Sequence, residues 1–168
     1  MCFFGKNRYV AAVACLKRAL YLSPFEWIIS YNLGLVHLNK LQFASAFHFF
    51  SESINLKPDF AASYMYLAIT LARLDDFSNS CAAYEKSLTL DPSNATARLN
   101  YAITLYNNEE VERSRAQYTL YQGVYNDNLK ANPEEEEDED IKMQREMLAD
   151  ALGVYLGCIR MSGVVGME

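Results

Sequence analysis

The chain has 168 residues, 51% of them apolar and 13% aromatic, with seven Gly and four Pro. That is enough to bury one core and too apolar to stay disordered. Its net charge of −6 is concentrated in the run Glu134, Glu135, Glu136, Glu137, Asp138, Glu139, Asp140, and the remainder nets +1, so it offers no electrostatic footprint for nucleic acid or anionic lipid.

No apolar run reaches the roughly 18–20 residues that span a bilayer. Lys6, Arg8, Lys17 and Arg18 interrupt any apolar core a signal peptide would need. The sequence therefore predicts an intracellular protein with no direct membrane insertion. Cys2, Cys15, Cys81 and Cys158 show no CxxC or zinc-type spacing and are expected to be reduced, mostly buried small hydrophobes.

Pro24, Pro58 and Pro92 lie 34 residues apart. That is the length of a tetratricopeptide repeat, a helix–turn–helix unit that stacks into a solenoid. The expected fold is all-α: a tetratricopeptide-repeat solenoid of antiparallel helix pairs with a C-terminal capping helix. In chain order, helices are predicted near 6–22, 25–40, 43–56, 59–74, 77–90, 93–107 and 109–125.

With proline as position 32, residues 1–26 are a partial first repeat. Tyr9, Ala12, Leu16, Ala19, Leu20 and Pro24 take positions 17, 20, 24, 27, 28 and 32, and Met1 falls midway through a first helix. The expectation is a piece of a longer array, with a truncated N-terminal seam at Phe3 and Phe4 through which the chain could self-associate.

The next repeat, 27–60, carries Gly34, Ala46 and Ser53 at positions 8, 20 and 27, where paired helices approach and side chains must be small. Leu33, His37, Phe43 and Phe50 fill the space between helices. Proline then stops the second helix, because its ring cannot continue it. Repeat 61–94 keeps the pattern with Ala68, Ser80 and Ser87; repeat 95–128 is weaker, with bulky Tyr121 at position 27 and Asn126 in place of proline. Residues 129–140 read as an acidic linker broken at Asn132–Pro133. Residues 141–162 regain helical periodicity, with Ile141, Leu148, Leu152, Tyr155 and Ile159 as the apolar face, Met147, Ala151 and Leu156 beside it, and Gly163 and Gly166 at its end.

Little in the chain suggests catalysis. His37 sits at a core position and His48 at a looser one, with His48–Glu52 at most a surface pair. Asp75–Asp76 falls where an Asp caps the next helix. No P-loop, GxGxxG or GxSxG occurs, so no enzyme activity, metal or cofactor is expected.

The candidate site is the concave groove lined by the first helix of each repeat, at positions 2, 5, 6, 9, 12 and 13. Those positions supply Tyr31, Asn32, Leu35, Leu38 and Asn39, then Met65, Tyr66, Ile69 and Arg73, then Leu99, Asn100, Ile103, Tyr106 and Asn107. Asn32 and Asn100 can each donate and accept toward an extended peptide. Arg73 alone is basic, which disfavours the repeat clamps that grip a free carboxylate with several cations. Alanine at Tyr31, Tyr66 and Tyr106 is expected to weaken partner binding.

Specific residues exceed the generic repeat pattern. Cys2-Phe3-Phe4-Gly5-Lys6, Tyr9-Val10-Ala11-Ala12, Cys15-Leu16-Lys17-Arg18-Ala19, Pro24-Phe25 with Trp27, Tyr31-Asn32-Leu33-Gly34-Leu35-Val36-His37-Leu38, Ala44-Ser45-Ala46-Phe47-His48-Phe49 and Leu99-Asn100-Tyr101-Ala102 together resemble the later repeats of the fourth Bardet–Biedl syndrome protein family. The resemblance implies a non-enzymatic subunit of the BBSome, a coat-like complex in ciliary membrane-protein trafficking. It also implies other BBSome subunits and centriolar satellite proteins as partners, and a place at the cilium, basal body and satellites. The competing expectation is a stand-alone adaptor for linear peptides, as in co-chaperones.

Overall fold

The computed structural model describes residues 9–131 and 138–153. The described residues form eight helices and no strand: α1 (Tyr9–Leu22), α2 (Trp27–Asn39), α3 (Phe43–Leu56), α4 (Ala61–Arg73), α5 (Phe77–Leu90), α6 (Ala95–Asn107), α7 (Val111–Ala131) and α8 (Glu139–Leu152). Helices α2/α3, α4/α5 and α6/α7 pair as hairpins, and each hairpin stacks on the next. The fold is a tetratricopeptide-repeat solenoid. Phe3, Phe4, Cys2, Cys158, Glu134–Glu137, Tyr155, Leu156, Ile159, Gly163 and Gly166 lie outside the described residues.

The turns repeat as faithfully as the helices. Between first and second helix, Leu41, Asp75 and Glu109 all adopt left-handed backbone, at φ 57°, 60° and 64°. The next residue in each case returns its N–H to a carbonyl five residues back: Gln42 to His37 at 2.9 Å, Asp76 to Leu71 at 3.0 Å and Glu110 to Leu105 at 3.0 Å. That bond closes the end of the helix and satisfies an otherwise orphaned carbonyl. Asp76 then caps α5, accepting from the Asn79 N–H at 3.3 Å. Asn94 caps α6, accepting from Ala97 at 2.8 Å.

The first helices begin at Trp27, Ala61 and Ala95, two residues later than the sequence predicts. A turn runs through each proline, closed by Glu26 N–H to Ser23, Phe60 N–H to Lys57 and Asn94 N–H to Asp91, each at 3.4 Å. Conversely, α7 continues through Asn126 to Ala131, well past the expected end at 125. Nothing stops it where proline is missing. Ala131 is the last described residue of this helix. The expected linker 129–140 is therefore helical at both described ends. Asp138 caps α8, accepting from the Asp140 N–H at 2.9 Å, and Gly153 at φ 64° closes it.

The small residues do what close approach requires. Ser80 donates to the Ala68 carbonyl at 2.8 Å and Ser114 to the Ala102 carbonyl at 2.7 Å. Each bond ties position 20 of the second helix to position 8 of the first. Ser53 and Ser63 share a buried hydroxyl bond of 3.0 Å between successive repeats. A Cβ on Gly34 would lie 2.6–2.9 Å from three ring atoms of Phe50, so glycine is there to make room for the ring.

Three successive junctions form the core. The first is aromatic: Phe50 stacks on Tyr66 at 5.8 Å, and Phe60 meets both Trp27 at 4.5 Å and Tyr31 at 5.2 Å. The second stacks Tyr84 on Tyr101 at 5.1 Å among Met65, Ala68, Leu71 and Leu105. In the third, Leu148, Ala149 and Leu152 of α8 cover Leu99, Ala102, Tyr118 and Tyr121. Helix α8 thus lies on α6 much as α6 lies on α4. Bulky Tyr121 fits at position 27 because it fills this last, looser seam.

Several sequence expectations change. Cys81 is buried but Cys15 is exposed, on the outer side of a helix that buries no residue. Glu52 accepts from Ser30 at 3.1 Å rather than pairing with His48. The covered stripe of α8 includes Ala149 and Arg145 as well as Leu148 and Leu152, with Met147 and Ala151 exposed beside it. Arg145 packs its guanidinium over the Tyr125 ring at 5.1 Å, so its charge keeps a favourable partner at a partly buried position.

Candidate functional site

The first helices α2, α4 and α6 present parallel rows of side chains. Position 13 forms an exposed row of Asn39, Arg73 and Asn107. Position 9 forms a half-buried apolar row of Leu35, Ile69 and Ile103, with Leu38 and Tyr106 beside it at position 12. Position 6 contributes Asn32, Tyr66 and Asn100, all half-buried. Asn32 donates to the Ile28 carbonyl at 2.8 Å and Asn100 to the Thr96 carbonyl at 3.0 Å. Each amide keeps a second N–H and its carbonyl oxygen for other bonds.

Position 5 is a correction. Met65 is 5% exposed and Leu99 1%, so neither faces the groove. Met65 packs in the second junction and Leu99 lies under α8. Tyr31 at the same position is half-buried against Phe50, Phe60 and Tyr66. Burial, with Tyr66 nearby, pushes its hydroxyl up to about 12. Position 5 lies one turn before position 9 on the same side of its helix, and the next repeat or α8 packs over it. Alanine at Tyr31 or Tyr66 would thus report on packing before binding.

Five of the expected residues meet around one cleft of about 290 Å³ between α4 and α6: Ile69, Arg73, Asn100, Ile103 and Asn107. Ile69 and Ile103 make the apolar side; Arg73 and Asn107 make the polar rim. Thr104, which the sequence analysis did not single out, also lines it. Its hydroxyl donates to the Asn100 carbonyl at 2.8 Å and lies 3.3 Å from that of buried Tyr84. The available signal was its polarity at position 10, which is Thr70 in the preceding repeat and Val36 in the one before that.

A second depression of about 220 Å³ adjoins it, lined by Ile103, Tyr106 and Asn107 on one side and Gln144, Met147, Leu148 and Ala151 of α8 on the other. Helix α8 is therefore a wall of the groove as well as a cap. Leu35, Leu38 and Asn39 lie outside both hollows. The surface suits contact with another chain: apolar in its floor, amide-rich at its edge, with a single cation.

His37 is a core residue. It stacks on Phe49 at 5.2 Å, and its Nδ1 lies 2.8 Å from Gln42 Oε1. Among the described residues no group of three or more His, Cys, Asp or Glu could hold a metal ion. None of their helices is long and apolar enough to cross a membrane.

A family profile described as tetratricopeptide repeat matches residues 65–133. The chain is a tetratricopeptide-repeat protein. This tetratricopeptide chain is 47% identical over 154 residues to the BBSome complex member BBS4 of Mus musculus, covering 92% of the chain and 29% of the mouse protein. It is 51% identical over 118 residues to BBS4 of Xenopus tropicalis, covering 70% of the chain and 23% of that relative. It therefore spans less than a third of these relatives' length. Among solved structures, that of MamA superposes with a TM-score of 0.68 over 89% of the chain and 76% of MamA, at 13% identity, which is a likeness of fold.

Proposed function

We propose that this chain is a non-enzymatic protein-interaction scaffold, part of a BBS4-type subunit of the BBSome acting in ciliary membrane-protein trafficking. The observation that carries the reading is the 47% identity to mouse BBS4 over 92% of the chain. The groove supports it physically, since Ile69, Ile103, Arg73 and Asn107 form a surface for binding rather than for bond-breaking. On this reading the partners are other BBSome subunits and centriolar satellite proteins, and the sites of action are the cilium, the basal body and the satellites.

The test is affinity capture from ciliated-cell lysate with this chain as bait, read by mass spectrometry. Recovery of BBSome subunits, reduced by Arg73→Ala with Asn107→Ala, supports a scaffold that uses its groove. Recovery of chaperones bearing short C-terminal motifs, without BBSome subunits, overturns it in favour of a peptide adaptor.

A further inference from the structure

The first turn between repeats differs from its two successors. Positions 29 and 33 flank the proline. They are Asn55 and Asp59 at the second turn, Thr89 and Ser93 at the third, and Tyr21 and Phe25 at the first. All four polar counterparts are exposed, although the helices paired with α3 and α5 are in place. Repeat symmetry therefore says that a helix paired with α1 would leave positions 29 and 33 uncovered. Leu22 at position 30 is different: Leu56 and Leu90, its counterparts, are partly buried, so its exposure belongs to the seam.

Tyr21 is 86% exposed and Phe25 83%. Two large aromatics thus face water where the same turn elsewhere carries Asn, Asp, Thr or Ser. Large exposed aromatics are enriched among the residues that dominate the energy of protein contacts. Ile28 at position 2 is also exposed, where Ala62 and Thr96 stand later.

The edge of the patch is cationic. Lys17 and Arg18 precede Tyr21 by four and three residues on α1, and so share its face. Both are exposed, and neither forms an ion pair among the described residues. Glu26 is the acid of the turn. Two unpaired cations beside an aromatic pair call for carboxylates beside apolar anchors.

We infer that the turn at Ser23–Pro24, with Tyr21, Phe25 and Ile28 and the flanking Lys17 and Arg18, is a docking surface for a partner-protein segment that presents apolar side chains flanked by Asp or Glu. This rests on the scaffold reading above, but uses the edge of the solenoid instead of its groove.

The test places a photo-reactive benzophenone analogue of phenylalanine at position 25 of the full-length protein in ciliated cells, and maps the crosslinked peptide. A crosslink to a partner segment with apolar residues flanked by Asp or Glu is expected. No crosslink, or one to a second copy or to the protein's own chain, overturns the inference. Independently, Tyr21→Asn with Phe25→Asp, which copies the tolerated Asn55 and Asp59, should cut recovery of that partner at least about tenfold with an unchanged circular dichroism spectrum. Lys17→Glu with Arg18→Glu, leaving the aromatics intact, should lower recovery and remove its salt dependence. Unchanged recovery in both variants overturns the surface. A mapped acidic-flanked segment in a protein outside the BBSome supports the surface while overturning the BBSome reading. BBSome capture that both variants leave intact does the reverse.

Discussion

Arg113 donates from Nη2 to the Tyr101 hydroxyl at 3.0 Å, and that hydroxyl donates in turn to Glu85 Oε1 at 3.0 Å. One buried phenol thereby links α5, α6 and α7, with Arg113 also held by Glu110 at 2.6 Å. The ring packs the junction between repeats while its hydroxyl reaches water-accessible charges, so tight stacking costs no unsatisfied polar group. Tyr101→Phe keeps the ring and loses both bonds. The expected loss is about 0.5–1.5 kcal/mol in urea denaturation, and a double-mutant cycle with Arg113→Ala should show coupling. Strict additivity would mean that the chain of bonds is incidental.

Alkaline pH should unfold this solenoid through its tyrosines. Burial raises the Tyr31 hydroxyl to about 12 and pushes those of Tyr84 and Tyr101 up as well, from an ordinary value of 10.0. A raised folded-state value means the neutral form is favoured in the fold. That contribution is complete below pH 10 and is lost as pH climbs through 12, because the unfolded chain ionises first. Thermal midpoints should be flat up to about pH 9 and fall above about 10. Tyr31→Phe should make the fall shallower; an unaltered slope would assign the effect to other groups.

Gly34→Ala should destabilise by about 1–3 kcal/mol through overpacking. Its Cβ would strike the Phe50 ring at 2.6 Å, and Phe50 is held by Tyr31 and Tyr66. Replacing Phe50 with Leu in the same chain should recover part of the loss. If Phe50→Leu merely adds its own cost, the clash is not the cause.

Leu41→Gly should do the opposite. Leu41 is exposed and sits at φ 57°, a region that costs a side chain more than it costs glycine. The net gain expected is about 0.5–1 kcal/mol once glycine's greater unfolded freedom is counted. A lower denaturation midpoint would show that the Leu41 side chain makes contacts that outweigh the backbone cost.

Arg73→Ala with Asn107→Ala removes the polar rim of the cleft between α4 and α6 at two exposed positions. Stability should change by less than about 0.5 kcal/mol, while capture of a groove-bound partner should fall about tenfold. Full retention of partner with an unchanged fold would move the contact away from the groove.

The 34-residue period, the all-helical solenoid and the need for Gly34, Ala68, Ala102, Ser80 and Ser114 at close approaches could all be read from the sequence. They are repeated local demands: a proline ends a helix wherever it occurs, and a small residue marks each crossing. The same logic holds in reverse at Asn126, where the missing proline lets α7 run to Ala131. Which side chains face the groove was decided only in three dimensions. Met65 and Leu99 share a helix face with true groove residues until the next helix, or α8, closes over them. Arg145 points inward because Tyr125 offers its ring, and α8 walls the groove because Leu99 and Tyr121 leave a seam for it. Helical periodicity fixes the angle at which a side chain leaves its own helix. What it meets there depends on a neighbour placed by packing, and that is information no single repeat contains.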